Sequence, residues 1–94
     1  MYVRIELDGT VLKVCPDGNI YRLKNTDWKI IENTQNHIKG YNVILIDKKQ
    51  YMRSKLIAHA FLHIELDDKS LYICHKDEDK LNCSVNNLIL KQKK

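Results

Sequence analysis

Three groups of side chains in this sequence have the types and spacing to do chemistry. His59 and His63 lie four residues apart, which puts two imidazoles on one helix face. With Cys74 and Cys83 they could complete a zinc site of two His and two Cys ligands. Neither cysteine belongs to a close Cys-x-x-Cys pair, so no metal ligand is assigned. Asp77, Glu78 and Asp79 have the acidity of a calcium loop but lack its Gly and its distal Glu. The third group is basic. Lys48, Lys49, Arg53 and Lys55 cluster around a turn and a helix start, and Lys91, Lys93 and Lys94 follow the last apolar run. Short basic turns and helix starts suit phosphates, so these seven residues are the expected nucleic-acid contacts.

The elements that must carry these residues read as strands first and a helix later. Tyr2 to Leu7 alternates apolar and polar, Asp8-Gly9 is a tight-turn dipeptide, and Val11 to Val14 resumes the strand. Pro16-Asp17-Gly18-Asn19 is a second turn before Ile20 to Leu23. Trp28 to Ile31 and Tyr41 to Ile46 continue the pattern, and Lys48-Lys49-Gln50 reads as a turn into Tyr51-Met52-Arg53. The period then changes: Leu56, Ile57, Ala60, Phe61 and Ile64 recur at helical spacing after Ser54, a good N-cap, predicting a helix over Lys55–Leu62. Leu71 to His75 is a strand, 76–80 a charged loop, 82–87 a turn-rich stretch and Leu88 to Leu90 a last short strand. Trp28 and Phe61 are expected in the core. The five tyrosines are spaced like strand residues, and no base-stacking motif marks them.

Composition bounds the answer. Ninety-four residues make one small domain, taken as 1–94, with a β-rich part over 1–53 and a helix-and-hairpin part over 54–94. With 44% hydrophobic and 30% charged residues the chain is too apolar for a disordered protein. No apolar run approaches the roughly 18 residues of a membrane span, and Glu6 and Asp8 interrupt any signal-peptide core. Three cysteines without scaffold spacing favour a reducing, intracellular setting over a disulfide framework. The net charge of +4 leans toward a polyanionic partner, and the lack of a spanning run leaves no membrane expected. Richness in Lys, Asn and Ile hints at an AT-rich coding source such as a virus or an organelle.

The stretch Ser54 to Leu90 resembles the homing-type HNH endonucleases, whose core is the ββα-metal fold. The residues that carry the likeness are Ser54-Lys55-Leu56-Ile57-Ala58-His59-Ala60-Phe61 for a helix, and Ile73-Cys74-His75 for the strand reaching the catalytic His. The loop Lys76 to Asn82 and the tripeptide Asn86-Asn87-Leu88 follow. Gly40-Tyr41-Asn42-Val43-Ile44-Leu45 is similar to the strand before that helix, and Val14 to Tyr21 to a hairpin further upstream. The resemblance implies His75 as general base and Asn87 as the residue that holds the loop. It implies a divalent cation such as magnesium in an active enzyme.

Several positions depart from the family. Cys74 stands where an acidic or polar residue precedes the His, and thiolate is a poor ligand for a hard cation. Ser54 replaces the His opening the helix, and Glu78 replaces a turn Gly. The family's second metal ligand would fall beyond Lys94. The expected fold is therefore α+β: an antiparallel β meander with one central helix and a truncated ββα-metal finger. The leading expectation is a catalytically impaired, HNH-like pseudoenzyme that binds nucleic acid, DNA ahead of RNA, mainly through phosphates and without a cofactor. The alternatives are a minimal metal-dependent DNA-nicking enzyme and a small interaction protein docking on a nucleoprotein complex.

Overall fold

The computed structural model describes residues 1–93, so Lys94 lies outside the described residues. Alternating residues build the first sheet, in which β1 (Val3–Leu7), β2 (Thr10–Val14), β3 (Ile20–Lys24) and β4 (Asp27–Ile30) pair antiparallel in chain order. Asp8 and Gly9 have positive φ of 50° and 82°, the backbone of a two-residue hairpin turn whose twist matches its strands. Leu12, Val14 and Ile20 point inward and are fully buried. The opposite face carries Lys13, whose Nζ lies 5.2, 4.7 and 5.3 Å from the ring centres of Tyr2, Tyr21 and Trp28. Trp28 is thus half-buried on the outer face rather than in the core. The register decides this: Lys13 pairs with Tyr21, Tyr21 with Ile30 and Leu23 with Trp28, so strand parity puts all of them on one side.

Two further antiparallel hairpins complete the β structure. β5 (Val43–Ile46) pairs with β6 (Lys49–Met52), and β7 (Leu71–His75) with β8 (Leu88–Gln92). The turn expected over 48–50 instead consists of Asp47 and Lys48, both at positive φ, and Lys49 begins β6. A short 3-10 turn, Val85–Asn87, leads into β8.

The helix α1 (Arg53–Leu62) sits at the centre. Arg53, Ser54, Leu56, Ile57, Ala58 and Ala60 are all buried, more than a single apolar stripe, because sheet or turn lies on several sides of it. It contacts β1, β2, β6 and the 3-10 turn. Ile44 and Ile46 from β5, Cys83, and Leu88 from β8 join its side chains in one core. No helix among the described residues is long and apolar enough to cross a membrane.

The α+β meander with a truncated ββα finger is not what forms. Among the described residues, eight strands make three separate antiparallel sheets around one ten-residue α-helix, a mostly-β fold. The meander breaks because residues 31–42 leave strand geometry. There, Asn36 and Asn42 side chains bond backbone groups: Val43 N–H donates to Asn36 Oδ1 at 2.7 Å, and Asn42 Nδ2 donates to Thr34 O at 2.6 Å. After β7 the chain returns as β8 through the 3-10 turn, and no second α-helix packs on that hairpin among the described residues.

One buried side chain holds these parts together. Arg53 is fully buried, and its Nε donates to Asn42 Oδ1 at 2.8 Å. One terminal nitrogen donates to Gly18 O at 2.9 Å, and the other to Ile31 O at 2.6 Å and Glu32 O at 3.1 Å. The guanidinium thus ties the β2–β3 turn, the 31–42 loop and the helix start. Four neutral oxygens solvate it without a carboxylate, and burial lowers its pKa. Arg53 N–H also donates to Asn42 O, so the helix begins there with Met52 as N-cap and no side-chain cap. Ser54, expected as the cap, lies inside the first turn with its Oγ buried and unpartnered. Gly18, at φ +96°, fits close beneath: a Cβ there would lie 3.1 Å from Cys83 C and 3.2 Å from Ser84 N.

Arg53→Leu should therefore strand several acceptors, each at a cost of about 1–3 kcal/mol, against a total of about 5–15 kcal/mol for a domain. Urea denaturation should show Arg53→Leu unfolded or close to it. Arg53→Lys, which keeps the charge but loses the fork, should fall between Arg53→Leu and wild type. Wild-type stability in Arg53→Leu would contradict this role.

Candidate nucleic-acid interface

His75 ends β7 opposite Leu88, and parity turns it to the same side as Ile73 and Leu71. Its Nε2 is closed to solvent and has no hydrogen-bond partner. Its ring centre lies 6.2 Å from that of Tyr41. Desolvation is the main cause that lowers the His75 pKa below the ordinary imidazole value; Asp77 and Asp79 oppose it and Lys80 adds to it. Its Nε2 is thus shielded, while the ring as a whole is half-buried.

Asn87 is buried and pins the loop that follows His75. Its Nδ2 donates to Asp77 Oδ1 and to Asn82 O, each at 2.9 Å, and its Oδ1 accepts from Asp77 N–H at 3.2 Å. Its carbonyl accepts from Lys76 N–H at 2.8 Å. Asp77 also accepts from Asn82 Nδ2 at 2.7 Å and from Asp79 N–H at 2.9 Å. These bonds hold its carboxyl below the usual carboxylate range, that from Asn82 first. Glu78, where the family resemblance expects Gly, has φ of 64°, so the left-handed turn forms without glycine.

A divalent cation, which the resemblance implies for an active enzyme, would need oxygen donors beside His75. Cys74 offers sulfur, and both Asp77 oxygens and Asp79 Oδ1 accept hydrogen bonds from within the loop. Among the described residues, no three His, Cys, Asp or Glu side chains converge as a metal group. Of the residues lining a hollow with His75, Glu78 carries a carboxylate and Cys74 a thiol. The zinc quartet does not assemble either: His63 is exposed at the left-handed C-cap, and His59 Nδ1 lies 2.6 Å from Ile64 O. Cys83 is buried, which pushes its thiol pKa up to about 11.

The expected basic contacts separate. Arg53 is removed from the set, because its guanidinium is buried among four protein oxygens and cannot reach a phosphate. Lys48 and Lys49 stand exposed on the β5–β6 hairpin, and Lys91 is exposed opposite Tyr72 on β8. Lys94 lies outside the described residues. Lys55 and Lys93, far apart in sequence, meet at a cavity of about 420 Å³. Lys39 and His37 join them there, with Tyr41, Tyr72, Met52 of β6, Leu71 and Ile73 of β7, and Ile64 just past α1.

A neighbouring hollow of about 350 Å³ shares Tyr41, Tyr72 and Ile73 and adds Cys74, His75, Glu78 and Lys80. Lys80 Nζ sits 4.9 Å from the Tyr41 ring centre and donates to Lys39 O at 2.6 Å. Lys39 and Lys80 were not legible as site residues, since one lies in a polar loop and the other in a charge run. Only the fold brings them together. No family model, curated protein or solved structure matches the chain.

Two stability experiments follow from this loop. Asn87→Ala should cost about 1–3 kcal/mol, and with roughly 4–8 °C per kcal/mol for a domain this size its Tm should fall clearly. His75 gives a pH signature. Because its folded pKa is lowered, the unfolded chain takes up a proton near the ordinary value of about 6.5 that the folded chain resists. Its contribution is fully present above that pH and declines as pH falls through it. Wild-type Tm should drop on going from pH 7.5 to 5.5, and His75→Gln should flatten that drop. An equally steep drop in the variant would place the cause elsewhere.

Proposed function

We propose that this protein binds nucleic acid through its phosphates, at the cationic groove between the 37–41 loop, the start of α1 and β7, and that it is impaired as a nuclease. The observation that carries this reading is the lining of the larger cavity. Three lysines, Lys39, Lys55 and Lys93, line it, Lys55 with its Nζ on Asp68 O at 3.2 Å, and no carboxylate residue is among its lining. A hollow of one charge sign selects polyanions, and phosphate contacts from Lys need no base recognition. The resemblance of Ser54 to Leu90 to homing-type HNH endonucleases favours DNA over RNA as that polyanion. Impaired cutting is supported by the shielded Nε2 of His75, by Cys74 beside it and by loop carboxylates engaged with their own backbone. Three free cysteines fit an intracellular setting.

Fluorescence anisotropy against salt tests the binding. Affinity should fall steeply with ionic strength, with a log–log slope of roughly −0.7 to −0.9 per phosphate neutralised. The double variant Lys55→Gln, Lys93→Gln should flatten that slope by roughly two such increments and weaken all sequences alike. A plasmid-nicking assay with magnesium or manganese should show little cleavage. Robust nicking that His75→Ala abolishes would overturn the impairment. Absence of any salt-sensitive nucleic-acid affinity would overturn the binding, leaving a docking role on a nucleoprotein complex.

A further inference from the structure

The groove has a form that a phosphate-binding surface alone does not require, and it speaks to the state of the strand that binds. We propose, resting on the nucleic-acid reading above, that the groove takes a single strand, with consecutive nucleotides in its two hollows and a base stacked on Tyr72. The larger hollow, about 420 Å³, is the size of a site for one small molecule, and the second, about 350 Å³, adjoins it along β7. Tyr41 and Tyr72 line both hollows, with Lys39, Lys55 and Lys93 in one and Lys80, bonded to Lys39 O, beside Glu78 in the other. Aromatic rings between cations match an unpaired strand, whose bases stack on rings while its phosphates meet ammonium groups. In a duplex the bases are stacked on each other, and only backbone reaches a hollow of this size. Tyr72 is 45% exposed, which leaves its ring open to a partner. Tyr41 is less free: Lys80 lies over its ring, and the His37 ring sits edge-on at 5.9 Å.

The experiment compares a fluorescein-labelled dT12 strand, the same strand paired with dA12, and an abasic strand of equal length, at one low salt concentration. Three proteins are used: wild type, Tyr72→Leu, and Lys55→Gln with Lys93→Gln. Tyr72 is an exposed β7 residue, so leucine there leaves the fold intact, which a melting curve checks. The intact single strand should bind wild type at least about tenfold tighter than the duplex or the abasic strand. Tyr72→Leu should lose about tenfold on dT12 and little on the other two, with the salt slope unchanged. The lysine variant should weaken all three.

Duplex binding as tight as single-strand binding, or indifference of dT12 to Tyr72→Leu, would overturn the single-strand inference while leaving phosphate binding in place. Failure of all three probes to bind wild type would overturn both. Competition by free dTMP at concentrations comparable to those of dT12 would assign the hollow to a mononucleotide and also overturn the strand proposal.

Discussion

A single buried cation, the Arg53 guanidinium, sets the geometry on which the rest of this fold depends. A charge taken out of water is costly unless its hydrogens are all satisfied, and here carbonyl and amide oxygens from two distant segments supply the partners. Those segments, the β2–β3 turn and the 31–42 loop, are thereby tied to the entry of α1. The loop carries no strand or helix of its own, so its shape is decided by what it bonds. Asn42 serves twice, through its side chain to Arg53 Nε and through its carbonyl to Arg53 N–H. The 31–42 loop in turn carries His37 and Lys39 to the groove. Arg53 thus shapes the lining of a groove of which it is not itself a lining residue.

The β7–β8 hairpin follows the same logic on a smaller scale. A loop of Asp, Glu and Lys has no apolar reason to be ordered, and it is held by side-chain amides and carboxylates bonding to its own backbone. Asn87 is the buried member of that network, next in the chain to core residue Leu88. This arrangement gives rigidity to the groove wall that includes His75, Glu78 and Lys80.

The chain's short-range signals were mostly readable. Asp8-Gly9 makes the hairpin turn its sequence announces, Pro16 to Asn19 turns where expected, and the strands at 3–7, 20–24 and 71–75 lie within a residue of their apolar alternation. Such features depend on the φ preferences of two or three residues or on the two-residue period of a strand, and both are local. The errors share a cause. Ser54 reads as a cap and Arg53 as a surface cation because propensity assigns each residue its commonest role. Burial against residues eleven to thirty-five positions away reverses both. Trp28 reads as core because of its size, yet the pairing register of β3 and β4 turns it outward beside Lys13.

What the sequence by itself determined is the set of strands, most of their turns, the helix and the basic character of the surface, since these follow from side-chain period, backbone preference and charge. That the paired strands form three sheets rather than one meander was decided only in three dimensions, because residues 31–42 leave strand geometry to bond Arg53 and their own backbone. The same holds for the groove. Lys39, Lys55, Lys80 and Lys93 are unremarkable in a lysine-rich chain. They become one cationic surface because the 37–41 loop, the first turn of α1, the Asp77–Asn82 loop and the end of β8 converge there. Like charges have no attraction that would gather them. The packing of the neutral core brings them together, and their meeting is visible only in the folded molecule.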